Sequence, residues 1–144
     1  MSAAPPTCLF CRIARAEVPA ARVLETDAAV AFLDHRPLFP GHCLVISREH
    51  VDTLGDLPGP LTAPLFAAAA AVARALEAGL GADGSFVAVN NRVSQSVPHL
   101  HVHVVPRRRG DGLRGFFWPR GRYESAAAME ETRARIAGAL AAEA

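Results

Sequence analysis

The chain has 144 residues, about half hydrophobic and a fifth charged, with a formal net charge of +1. That is long enough for one buried core and too apolar for a disordered segment. The balanced charge excludes bulk nucleic-acid affinity, and three cysteines are too few for a disulfide framework. No basic and apolar leader opens the chain, and the most apolar run, residues 64–73, stops at Arg74, too short to cross a bilayer. The expectation is a cytoplasmic protein without a membrane or nucleic-acid partner.

Cys8 and Cys11 form a CxxC at the start of a short helical pattern that runs to about residue 16. No βαβ unit follows, which disfavours a redox pair. As half of a tetrahedral zinc site the pair needs two more ligands, and the alternative is two buried small residues. Residues 22–25 and 28–33 read as a hairpin turning at Thr26-Asp27, ending at Asp34. A turn-rich loop, 35–41, leads to a β-branched strand over 42–47, with Cys43 among aliphatics as a core residue. Residues 61–79 read as a helix with Leu61, Leu65, Ala69, Val72, Leu76 and Leu80 as its buried stripe. A strand at 85–89, a polar loop at 90–97 and a strand at 98–105 follow. A last helix starts near Ser125, with Met129, Ile136 and Leu140 as its apolar stripe.

The strand at 98–105 carries His99, His101 and His103 alternating with Leu100, Val102 and Val104. Successive side chains on a strand point to opposite faces, so three imidazoles share one face and three aliphatics the other. Burying several polar rings without a use is costly. Two chemistries fit such a row. Alternating histidines can ligate a metal, or one imidazole can act as nucleophile while its neighbours orient it and handle protons. The elements together give an α+β class: a mostly antiparallel sheet with one long helix and terminal helices, in a single domain over 1–144. Residues 1–7 are an N-terminal tail and 107–144 a C-terminal tail and helix.

Cys8-x-x-Cys11, Ala31-Phe32-Leu33-Asp34 followed by Pro37, Pro40-Gly41-His42-Cys43-Leu44-Val45-Ile46, the Arg48/His50 pair and His99-x-His101-x-His103 occur in that order. In this combination the chain resembles the histidine triad (HIT) family, in particular its bacterial zinc-containing branch. The resemblance runs from Cys8 to Pro106. It implies a compact α+β protomer that pairs into a homodimer with a continuous sheet. It also implies a nucleotide hydrolase that cleaves at the α-phosphorus through a nucleotidyl-histidine intermediate. Purine phosphoramidates, acyl-nucleotides and dinucleoside polyphosphates are the substrate classes. A nucleotidyltransferase is the second reading, disfavoured because transferase branches resemble one another in a glutamine where this chain has His103. A non-catalytic, zinc-stabilised nucleotide-binding module is the third.

Carried over by resemblance, His101 is the nucleophile, His103 contacts the scissile phosphate, and His42 supports them. Asp34 resembles the carboxylate that accepts the ribose hydroxyls. Gln95 and Ser96 stand where the family places polar donors to phosphate, and Asn90, or its neighbour Asn91, resembles the amide that contacts the nucleotide. The loop is shorter than the family's glycine-rich version, with Arg92 and Ser94 near the places of glycines. Cys8, Cys11, His50 and His99 resemble a structural zinc site, with no catalytic metal or organic cofactor. In the tail, Trp118 with Arg114 or Arg120 would meet substrate, or Phe116, Phe117 and Trp118 would seal a dimer. The arginines at 107, 108, 109, 114, 120 and 122 suit either a phosphate-bearing ligand or a solvated strip.

Overall fold

The computed structural model of the chain describes residues 5, 7–114 and 120–143. Phe116, Phe117 and Trp118 lie outside the described residues. The chain divides into two compact units, one ending at Asp111 and one starting at Gly112. The sequence expectation of a single domain set the tail apart from residue 107. The division falls later because Asp111 grips Arg107 in a two-pronged ion pair at 2.7 and 3.0 Å. Arg108 adds to this hold by donating to the carbonyls of Leu80 and Gly81, which end the long helix.

In the first unit, five antiparallel strands form one sheet: β1 (Arg22–Glu25), β2 (Ala29–Leu33), β3 (Cys43–Ser47), β4 (Gly84–Ala88) and β5 (His101–Arg107). Their order is β1-β2-β3-β5-β4. The hairpin forms because Thr26 Oγ1 accepts from the amides of Ala28 and Ala29 at 3.3 and 3.0 Å, closing the turn. Helix α2 (Gly59–Leu80) covers one face of the sheet. Its Leu65, Ala68, Ala69, Val72 and Leu76 pack with Ala31, Val45, Leu100, Val102 and Val104. The short helix α1 (Leu9–Ala14) covers part of the other face, where Phe10 and Ile13 meet Val30, Phe32, Leu44 and Ile46. With both faces covered, β2 and β3 read as continuous apolar runs.

The helices of this unit differ from the sequence reading in three details. The buried stripe of α2 excludes Leu61 and Leu80; Ala68 takes part instead, because the closely apposed sheet admits small side chains there. Helix α2 is 22 residues long, so by length and composition alone it is apolar enough to cross a membrane. Its sheet-facing stripe is that of a core helix. Helix α1 ends at Ala14 rather than near 16. Ala16 adopts φ +60° and its amide bonds to Ile13 O, while that of Glu17 bonds to Arg12 O. This closing pair of bonds terminates the helix.

In the second unit, helix α3 spans Ala126–Glu143. Ser125 Oγ accepts from the amide of Ala128 and caps it. The expected stripe of Met129, Ile136 and Leu140 is exposed.

The histidine strand begins later than expected, at His101 rather than residue 98. Pro98 offers no amide to a ladder, and the amide of His99 bonds to Val97 O in a local turn. The amide of Leu100 crosses to Val51 O. His99 is therefore held by a turn in front of β5. The alternation nevertheless survives, with Leu100, Val102 and Val104 in the helix-covered core and the imidazoles on the opposite face.

Candidate active site and metal centre

Cys8, Cys11, His50 and His99 come together from α1, the segment after β3 and the turn before β5. All four are buried. Cys8 Sγ lies 3.4 Å and Cys11 Sγ 3.5 Å from His99 Nδ1, Cys11 Sγ lies 3.2 Å from His50 Nδ1, and the two Nδ1 atoms are 3.2 Å apart. Zinc at ordinary bond lengths sets tetrahedral ligand atoms roughly 3.3–3.8 Å apart, so this spacing fits.

The proton inventory points the same way. His99 Nε2 donates to Ser47 O at 2.6 Å, since a carbonyl only accepts. His50 Nε2 faces the Asp52 carboxylate at 3.0 Å and donates to it. With its proton on Nε2, each ring turns Nδ1 inward, toward the cysteine sulfurs. Burial, reinforced by neighbouring Cys8, pushes the Cys11 thiol up to about 12, so a cation binding here displaces its proton. Burial also pulls His99 down to about 4, keeping its ring neutral.

Asp52 and Ser47 are absent from the sequence-derived site. The only sequence signal for Asp52 is an acid two residues after His50. Groups that orient a metal-bound imidazole tune affinity. Asp52→Asn is expected to weaken zinc binding by about 10-fold or more, measured by competition with a chromogenic chelator.

His101 and His103 sit on β5 with ring centroids 5.0 Å apart. His101 is buried, and its Nδ1 lies 2.7 Å from the His99 carbonyl. The carbonyl can only accept, so Nδ1 carries the proton and Nε2 keeps its lone pair. The amide of Leu38 donates to His42 Nδ1 at 3.1 Å, which places the His42 proton on Nε2. That Nε2 lies 3.0 Å from His103 Nδ1 and donates to it. His103 in turn holds its own proton on Nε2. Asp34 Oδ2 is 3.8 Å from His42 Nε2, while Asp34 Oδ1 accepts from the amide of Arg36. The structure thus brings Asp34, His42 and His103 together where β2 ends and β3 begins, and His101 adjoins this group through His103, one step back along β5. Asp34, His42 and His103 also have donor atoms close enough for a cation. His42, however, points a proton at His103, which suits proton handling better than ligation.

Burial, helped by the fields of His101 and His42, pulls His103 down to about 4 from its ordinary 6.5, against the pull of Asp34. Burial likewise lowers His42, with Asp34 opposing. Between pH 6.5 and 4 the unfolded chain takes up a proton at His103 that the folded chain refuses. Stability should therefore fall as pH drops through that window and level off below it. In urea titrations at several pH values, His103→Gln is expected to flatten this slope.

The loop at 90–96 is wired internally. Gln95 Oε1 accepts from the amide of Arg92 at 2.8 Å, and its Nε2 donates to Asp52 O at 2.6 Å. Gln95 is thus a staple of this loop, with a second Nε2 hydrogen beyond the one given to Asp52 O. Asn91 Oδ1 accepts from the amide of Leu54, which engages Asn91 in the scaffold and leaves Asn90, half-buried, as the amide nearer the resemblance. Ser96 is exposed in the same loop. Arg92 and Ser94 adopt φ +68° and +61°. These are the positions flagged for lacking glycine, and a side chain there is strained. Ser94→Gly is expected to stabilise the chain by about 1 kcal/mol, read as a higher denaturation midpoint.

A family model for the HIT domain matches residues 15–110. The chain belongs to the HIT family. An uncharacterized HIT-like protein of Mycobacterium tuberculosis is 40% identical over 108 residues, covering 74% of this chain and 75% of that one. An adenosine 5′-monophosphoramidase of Schizosaccharomyces pombe is 32% identical over 115 residues, covering 78% and 84%. Among solved structures, a Streptococcus mutans protein superposes with a TM-score of 0.87 at 32% identity, covering 97% and 89%. A zinc-bound histidine triad protein of Mycobacterium smegmatis superposes at 0.71 with 38% identity, covering 92% and 97%. The HIT fold is thus shared, and one of these neighbours is zinc-bound.

Proposed function

We propose that this HIT protein hydrolyses a purine nucleoside phosphoramidate, acyl-nucleotide or dinucleoside polyphosphate at the α-phosphorus, through a nucleotidyl-His101 intermediate. The observation that carries the reading is the hydrogen bond of His101 Nδ1 to the His99 carbonyl at 2.7 Å. It fixes the tautomer in which Nε2 carries the nucleophilic lone pair. The phosphoramidase relative supports the reaction class.

In this reading the Nε2 lone pair attacks phosphorus. The bond to the leaving group breaks and its electron pair departs with it: a carboxylate or phosphate leaves as the anion, and an amine takes up one proton from solvent as it leaves. His101 becomes a phosphorylated imidazolium that keeps its Nδ1 proton. The His99 carbonyl dipole faces that proton and stabilises the new positive charge. The Nε2–H of His103 donates a hydrogen bond to the phosphate, held in that tautomer by His42. Asp34 offers its carboxylate to the ribose, with Asn90 and Ser96 as further polar contacts and Gln95 acting through the loop. Water then attacks phosphorus, the P–N bond electrons return to His101, and one proton leaves to solvent.

Zinc is the metal proposed for Cys8, Cys11, His50 and His99. It would supply a fixed junction between α1 and the strand carrying His101, without touching substrate. A homodimer in the cytoplasm completes the proposal. The edge strand β4, with Val87 exposed, offers a free sheet edge for a second copy.

A fluorogenic adenosine phosphoramidate tests the reading. Release of the amine with multiple turnovers is expected. Stoichiometric binding without release would make the protein a binding module instead.

A further inference from the structure

Phe10 stands between the two cysteines of the CxxC and is buried at 4% exposure. Its ring meets three others edge-on. Phe32 lies at 5.6 Å with an interplanar angle of 70°, His99 at 5.9 Å with 76°, and His101 at 5.1 Å with 82°. One side chain therefore touches both a member of the metal group and the nucleophile. Helix α1, which carries it, has six residues. A helix that short does not hold itself in place by its own hydrogen bonds. Its start is fixed by the cysteines, with Cys8 Sγ accepting from the amide of Cys11 at 3.4 Å. The His101 ring, for its part, is tied at one nitrogen by the His99 carbonyl. That bond sets the tautomer and leaves the ring free to swing about it. Phe10 on one flank and His103 on the other limit the swing.

We propose that Phe10 is a positioning residue through which the metal-held knuckle sets the angle of the His101 ring. Its kinetic consequence rests on the hydrolase reading above. The metal group then does more than stabilise the fold, because losing it frees Phe10 and lets the nucleophile drift. Misplacement of a reacting atom by about 1 Å can cost on the order of 100-fold in rate.

The test uses the full chain loaded with zinc, in the variants Phe10→Leu and Phe10→Met, with circular dichroism and zinc content as checks. Both variants are expected to keep one zinc per chain and to bind adenosine monophosphate within about 2-fold of the parent, because nothing is removed from the metal group or from Asp34. The value of kcat should fall about 10-fold with KM little changed. Removing zinc from the parent with a chelator should lower kcat similarly. Removing it from Phe10→Leu should lower kcat little further, because both changes break one link. A second readout is independent of turnover: at fixed pH, zinc removal should displace the ring resonances of His101 in the parent and much less in Phe10→Leu.

Unchanged kcat in both zinc-loaded variants overturns the proposal. So does a loss confined to KM, which would make Phe10 a wall of the substrate site, or fully additive losses. His101 resonances indifferent to zinc overturn it too, even if no nucleotide derivative is turned over. An inactive parent whose His101 resonances still follow zinc would instead sink the hydrolase reading and leave the coupling standing.

Discussion

His101→Ala is expected to cost at least about 1,000-fold in turnover while nucleotide affinity stays within a few fold. Among the described residues, the variant loses the one ring nitrogen with a free lone pair at the site. Neither neighbour can substitute. His103 has Nδ1 occupied by the His42 proton, and His99 has Nε2 bound to Ser47 O and Nδ1 turned into the cysteine group. Affinity survives because Asp34 and the loop amides are untouched. Steady-state kinetics beside calorimetric titration with adenosine monophosphate separates the two effects. Residual turnover within 10-fold of the parent would show that attack on phosphorus does not pass through this imidazole.

The second large effect concerns the metal group. Cys11→Ser is expected to drop zinc well below one per chain and to lower stability by on the order of 4 kcal/mol. For a chain of this length that is roughly 10 °C in Tm. Cys11 is chosen because its sulfur approaches both His50 and His99, at 3.2 and 3.5 Å. Its loss leaves two imidazole lone pairs 3.2 Å apart in a buried pocket with one thiol to serve them. Elemental analysis with differential scanning fluorimetry reads both quantities. Full zinc occupancy, or an unchanged Tm on loss of zinc, would count against a structural metal.

Much of the fold was legible because it is written in short-range patterns. The alternation of His and aliphatic residues from 99 to 104 assigned both faces of the strand, and the spacing of Leu65, Ala69, Val72 and Leu76 assigned the inner face of α2. The metal group was legible only through family resemblance. Cys8 and Cys11 lie about 90 residues from His99, and no local pattern announces that closure. What stayed hidden has a common cause: it depends on hydrogen bonds between distant segments. His99 looks like a strand residue until the proline before it and the Val51 carbonyl are taken into account. Gln95 gives no sequence sign of the bond from its amide to Asp52 O. Phe10 reads as ordinary core, and only the packed rings reveal its contact with His101. Arg92 and Ser94 are the reverse case. Their departure from glycine was visible in the sequence, and the backbone shows its cost as positive φ.

The central claim is that one imidazole on β5 bonds covalently to phosphorus. Rapid base-quench of the protein mixed with an adenosine phosphoramidate, followed by peptide mass spectrometry under non-acidic conditions, looks for that bond. A base-stable, acid-labile adenylyl adduct on His101 is expected, forming and decaying at rates compatible with turnover and lost in His101→Ala. An adduct on another residue, or steady hydrolysis with none forming, would contradict it.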